Sequence, residues 1–320
     1  MWIETKLLNT LKTSKKIMKI KQFTEDQLER LRAWQDDNGF ERIPLVEKGL
    51  TIYTRADSTY SCKGITLYAE ENGEIQGIIS RNNNSYHPKF DHLNFAIANE
   101  KKSLMVELMD QLLKLSPTDA VPLQITLEES VKNQWAWFLE KYFFRLTLTS
   151  DCPEIDITAS LAKLQQPILG ESYRILNYNQ LNSIESAALQ KFRREGYVNT
   201  HQWSPPISLD NPLWSSTDRS DAEKENSIII LHAGKIIACS DLVIDNDDYW
   251  LGWGWTCNTL NLGDKTKFWS AMLFSQLTFC QQKNKKLFGE FDSTDTDGSL
   301  KRQLMIEKSQ DRFFILQQIK

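Results

Sequence analysis

The stretch GWGWTCNTLNLGDKTKFWSAML (252–273) decides how the chain reads. An apolar, aromatic run passes through a short polar turn into a helical pattern with almost no linker. A helix start exposes unpaired N–H groups and a partial positive charge, so such a junction attracts anions. Glycine lets backbone come close to a bound phosphate, yet this turn holds one glycine, Gly263. One reading makes Gly263, Asp264, Lys265, Thr266 and Lys267 a phosphate cradle, with the lysines as charge partners and the Asp264 carboxylate as a misfit. The other makes it a strand-to-helix turn capped by Asp264 or Asn261, with the lysines in solvent.

The same order of elements surrounds it on both sides. Upstream lie a strand at 172–177, a helix ending at Gly196 with glycine as a positive-φ stop, a hairpin at 227–244 turning on Ala233-Gly234, and a strand at 247–257. Downstream come the helix at 265–283, a strand at 285–294, a helix at 299–308 and a strand at 312–318. The first half repeats this. MKIKQF (18–23) is a strand, and Thr24 opens a helix with acids in its first turn. Residues 63–80 form a hairpin on Asn72-Gly73, a dipeptide suited to a tight turn. A strand at 92–98, an amphipathic helix at 102–115, a strand at 122–130, a further helix and a strand at 143–151 complete it. The expectation is an α/β chain of two tandem domains, each a mixed central β-sheet flanked by helices. Residues 1–17 read as an extension, 18–155 as the first domain, 156–171 as a linker and 172–320 as the second domain.

Composition narrows the function. The 320 residues are 41% hydrophobic and 25% charged, with a net charge of −4. A general nucleic-acid binder is usually basic, and no run of about 18 apolar residues is present to span a membrane. The five cysteines are scattered, with no C-x-x-C and no histidines beside them. Neither a metal site nor a disulfide framework is expected, and the cytoplasm is the default location.

Three features together resemble the Gcn5-related N-acetyltransferase superfamily in a tandem arrangement. Each half follows that element order. The run Trp137-Phe138-Leu139-Glu140-Lys141-Tyr142-Phe143-Phe144-Arg145 is similar to the family's helix-to-strand junction, with Phe143 where glycine is usual. Gly254-Trp255-Thr256, the loop, the long helix and Phe291-Asp292-Ser293-Thr294 follow the family's fourth and fifth strands. The resemblance implies acyl-CoA, with acetyl-CoA the default, in a splay between those strands. Trp255 and Thr256 would supply backbone contacts, Gly263 to Lys267 the pyrophosphate site, and Ser293 a pantetheine contact. The corresponding first-half loop, Ala98 to Ser103, has no glycine and a central acid. That domain is read as structural or substrate-binding.

Acyl transfer to an amine needs a base and often an acid for the thiolate. Glu290 and Asp292 share a strand face and are the candidate bases, with Asp247 or Asp248 as substitutes. Two carboxylates on one face raise the pKa of one of them. The family's tyrosine acid has no counterpart at 299–305, where Ser299 is a weak stand-in. The long segment 199–226, with Trp203 and Trp214, occupies the place of an acceptor lid. Trp203, Trp253 and Tyr249 are the candidate substrate contacts, while strict alternation turns Trp250 away from Trp253 and Trp255. The resulting expectation is an acyl-CoA-dependent N-acyltransferase for a small-molecule or amino-acid-like amine. The rival is a non-catalytic binding scaffold. A third, aminoacyl or peptidyl transfer, is disfavoured by the acidic balance.

Overall fold

The computed structural model describes residues 18–47, 51–53, 59–61, 64–117, 119–164, 167–217, 223–245 and 247–319. The 1–17 extension lies outside them. The chain forms two compact units. One comprises residues up to 83 together with 92–120, and the other 84–91 with 121–320. This division differs from the halves expected from sequence.

In the first unit, β1 (Met18–Gln22) is followed by α1 (Leu28–Asp37). A small sheet of β2 (Leu45–Glu47), β3 (Thr51–Tyr53) and β4 (Thr59–Ser61) comes next. Strands β5 (Gly64–Glu71), β6 (Glu74–Asn83) and β7 (Asp91–Ile97) then lead to α2 (Lys102–Leu115). The strands lie in the order β1-β5-β6-β7. Asn72 and Gly73, at φ 54° and 88°, make the expected turn between β5 and β6. Phe23, Leu31, Tyr68 and Ile78 form one core cluster. On α2 the buried residues Leu104, Met105, Leu108, Met109 and Leu112 recur at helical spacing.

The second unit contains two sheets. Strand β8 (Leu123–Glu128), helices α3 (Glu129–Lys132) and α4 (Ala136–Lys141) and strand β9 (Phe144–Cys152) begin it. Helix α5 (Ile157–Lys163), β10 (Tyr173–Asn177), α6 (Ser183–Thr200), β11 (Ile228–His232) and β12 (Lys235–Asp245) follow. The rest is β13 (Asp248–Thr256), α7 (Leu262–Lys283), β14 (Leu287–Gly289), β15 (Phe291–Asp292), α8 (Thr296–Gln303) and β16 (Asp311–Gln318). One sheet has the order β10-β11-β12-β13-β14. The last strand of the chain joins a different sheet: β16 lies antiparallel between β8 and β9, and β9 also pairs with β15. That exchange is why 121–155 cluster with the C-terminal residues.

Two sequence expectations fail locally, each for a packing reason. The stretch 156–171 is more than a linker. Asp156 caps α5 by accepting from the Ala159 N–H, and flanking Ile155 and Leu164 enter the core beneath α7. Helix α6 runs through Gly196 to Thr200. Gly196 is needed for close approach, since a Cβ there would stand 2.3 Å from the Trp255 ring.

Phe143 does occupy the glycine position of its junction, at φ 60° with a side chain 63% exposed. Left-handed backbone costs a non-glycine residue about 1–2 kcal/mol, partly offset by glycine's greater freedom when unfolded. Phe143→Gly is therefore expected to stabilise the fold by about 0.5–1 kcal/mol in urea denaturation. A loss of stability would mean that the ring holds a contact worth more than the strain.

Candidate functional site

The site grows from an irregularity in β13. Opposite Ser240–Leu242 of β12, β13 advances from Leu251 to Gly254, one residue more than its partner. A bulge of this kind reverses the alternation beyond it. Tyr249 and Leu251 pack on the α7 side, whereas Trp253 and Trp255 pack on the α6 side. Trp250 therefore lines the same cavity as Trp253 and Trp255, contrary to strict alternation. Tyr249 is not among the lining residues. Its ring meets Phe279 of α7 at 5.3 Å.

Below the bulge β13 and β14 pair in parallel at Tyr249–Leu251 and Leu287–Gly289. Above it they diverge, because β15 turns to pair with β9. The splay opens a cavity of about 450 Å³. Its lining carboxylates are Asp245, Glu290, Asp292 and Asp295; its lining cation is Lys301. Glu290 and Asp292 thus come together as their shared parity requires. Asp247 and Asp248 are elsewhere: Asp247 is exposed beside Lys285, and Asp248 accepts from the Lys286 N–H at 3.1 Å.

Asp292 is the most perturbed acid of the cleft. Burial first, and then the neighbouring Glu290 carboxylate, push its pKa up to about 6. Its Oδ1 is buried with no hydrogen-bond partner. Lys301 is 4% exposed, donates to the Gly252 carbonyl at 3.4 Å and lies over the Trp269 and Phe291 rings. Burial holds its pKa below the usual lysine range, against the pull of Asp295, Asp241 and Asp297. Sequence reasoning missed Lys301, although Asp297 and Lys301 stand four apart on α8, a spacing that places both on one helix face.

A second polar group braces the bulge. Arg193 of α6 donates to Asp241 Oδ2 at 2.7 Å, the Tyr178 hydroxyl donates to the other oxygen, and the guanidinium lies 5.5 Å from the Trp253 ring. At the cavity's rim the end of α6 supplies Tyr197, Thr200 and His201. Trp203 is not a lining residue; its ring is tilted against that of His201, ring centres 5.7 Å apart.

The residues expected to hold CoA do not fit it. Asn261 caps α7 with its own side chain, accepting from the Asp264 N–H at 2.9 Å and donating to the Asp264 carboxylate at 2.8 Å. The helix start is thus self-capped, with a negative charge where a pyrophosphate would bind. A Cβ on Gly263 would meet only Asn261 Oδ1, at 3.3 Å, so no neighbouring protein group calls for glycine there. Lys265 turns toward Asp297 at 3.8 Å, Thr266 bonds the Leu262 carbonyl, and Lys267 is exposed. The β13 backbone is also engaged: Asp297 accepts from the Thr256 N–H and hydroxyl and from Trp269 Nε1. Ser293, expected at the pantetheine, exchanges hydrogen bonds with the Thr149 backbone on β9. Of the expected cofactor contacts, Trp255 alone lines the cavity.

No family model matches the chain, and no curated protein matches it in sequence. Solved structures do match. A Gcn5-related N-acetyltransferase from Sphaerobacter thermophilus aligns over 94% of this chain and 95% of its own, at 12% identity and a TM-score of 0.58. A tandem protein of the same fold from the clavulanic acid biosynthesis pathway aligns over 94% and 98%, at 8% identity and a TM-score of 0.57. A family acetyltransferase from Colwellia psychrerythraea aligns over 94% and 100%, at 12% identity and 0.53. At such identities the likeness is one of fold. Among the described residues no helix is long and apolar enough to cross a membrane. The chain carries the tandem Gcn5-related N-acetyltransferase fold.

Proposed function

We propose that the cleft between the diverging ends of β13 and β14 binds a small organic ammonium ion and that the chain transfers an acyl group to that amine. The observation that carries this reading is the buried, unpartnered Asp292 Oδ1. An unmet buried acceptor is costly, and an ammonium N–H would satisfy it. The tryptophan walls suit a cation as well. A carboxylate-bearing, amino-acid-like acceptor fits less well, because Lys301, the cation of the lining, is already held among Asp295, Asp297 and the Gly252 carbonyl. Acyl transfer itself is supported by the fold's neighbours, and acyl-CoA is assigned no seat at the α7 start.

Calorimetry with n-butylammonium and 1,4-diaminobutane tests the reading. One charge-assisted hydrogen bond contributes about 1.5–3 kcal/mol, so Asp292→Asn is expected to weaken binding by roughly 10- to 100-fold. Asp292 is charged above its pKa of about 6, so affinity should be full at pH 7.5 and about tenfold weaker at pH 5. Equal affinity in parent and variant would remove the cleft from consideration. The self-capped α7 and the lack of a tyrosine on α8 favour a second reading, binding without catalysis. Amine binding without any acyl transfer would establish it.

A further inference from the structure

The segment 84–91 belongs to the second unit and brings one histidine against Tyr197, a residue of the cleft. His87 is 9% exposed, with both ring nitrogens engaged. Nδ1 lies 2.5 Å from the Ser204 carbonyl oxygen, and Nε2 lies 2.7 Å from the Tyr197 hydroxyl. A carbonyl can only accept, so Nδ1 carries the hydrogen of the neutral ring. Nε2 is then a bare acceptor, and the Tyr197 hydroxyl must donate to it. The phenol oxygen, on a residue that lines the cleft, has its proton already directed away from the cavity.

Resting on the acyl-transfer reading above, we infer that Tyr197 and His87 form the proton exit of the cleft, with Tyr197 the contact to the amine and His87 the positioning residue behind it. One proton of the bound ammonium passes to the Tyr197 oxygen as the phenolic proton moves to His87 Nε2, which frees the nitrogen electron pair to bond to the acyl carbon. The second nitrogen proton is lost to the leaving group, which departs with the electron pair of its own bond to that carbon. Asp292 keeps its charge and holds the substrate. The surroundings suit a proton acceptor. Burial lowers the pKa of His87, so it is neutral near pH 7. His201, ring centres 5.5 Å from His87 and 3.8 Å from Tyr197, is also neutral, its pKa pushed down to about 4 mainly by burial. The Trp203 ring lies nearly parallel to that of His87, ring centres 6.5 Å apart.

The test uses p-nitrophenyl acetate as a donor that needs no cofactor and n-butylamine as acceptor, in the full chain, with p-nitrophenolate release as readout. General-base effects run to about 100-fold or more. Tyr197→Phe is expected to lower kcat about 100-fold with KM for the amine little changed. Asp292→Asn should instead raise KM. His87→Ala should be rescued by added imidazole, and the acid limb of the parent's kcat profile, taken at saturating amine so that Asp292 does not contribute, should vanish in Tyr197→Phe. Nitrogen-15 NMR of His87 supplies an arm independent of turnover, with Nδ1 protonated and Nε2 bare. The opposite tautomer would overturn the relay outright. Full activity in Tyr197→Phe, with amine binding intact, would sink the relay and spare the binding site. A parent that neither binds nor acylates the amine would end both readings together.

Discussion

Arg193→Met is expected to lower the unfolding free energy by about 3–5 kcal/mol, the usual cost of leaving one partner of a buried ion pair alone. Asp241 has no exposed surface, and the Arg193 side chain is 5% exposed. Without the guanidinium the buried carboxylate keeps the Tyr178 hydroxyl donor and loses its ion-pair partner. Methionine fills similar space, so the loss reads as electrostatic. The pair also faces the bulge in β13, so the cleft should loosen as the fold weakens. Asp241→Asn in the same chain keeps an acceptor for Tyr178 and removes the stranded charge, and should recover at least half of the loss. Urea denaturation of both variants decides it. A single-variant cost below about 1 kcal/mol would show that the pair contributes no more than a surface bridge.

Asp292→Asn is expected to act in the opposite direction on stability while weakening amine binding. The folded-state pKa of about 6 stands above the ordinary 3.8. Such a group favours the fold when protonated, fully so below pH 3.8, and that contribution is lost as pH rises through 6. Two units correspond to about 3 kcal/mol; solvent at this half-buried side chain reduces that to about 1–2 kcal/mol. At pH 8 the asparagine variant should therefore be the more stable chain by that margin, and at pH 3.5 the advantage should be gone. Thermal melts at the two pH values measure it. A variant that is less stable at pH 8 would mean that the carboxylate is held by partners the cleft geometry does not provide. Stability gained where function is lost is the signature of a residue kept for its chemistry.

Much of the fold was legible because it is local. The hairpin turns at Asn72-Gly73 and Ala233-Gly234 adopt positive φ, which asparagine and glycine accept readily and Ala233 takes at a cost. The stripe Phe268, Trp269, Met272, Leu273 and Leu277 buries one face of α7. Glu290 and Asp292 meet in the cavity because strand parity holds over two residues. Even the self-capped start of α7 was one of two readings that the Asn261–Asp264 spacing allowed.

Sequence by itself thus determined the element order, the turns, the tandem fold and the two central carboxylates. Each depends on residues within a few positions of one another. Tertiary structure alone decided the rest. The bulge that brings Trp250 beside Trp253 and Trp255 forms against β12, and the glycines at 252 and 254 were its only local sign. The insertion of β16 between β8 and β9 joins strands more than 150 residues apart, and the approach of His87 to Tyr197 spans 110. No period or turn preference encodes such meetings. They are selected by what the assembled sheets leave exposed, and the cleft's chemistry is written in them.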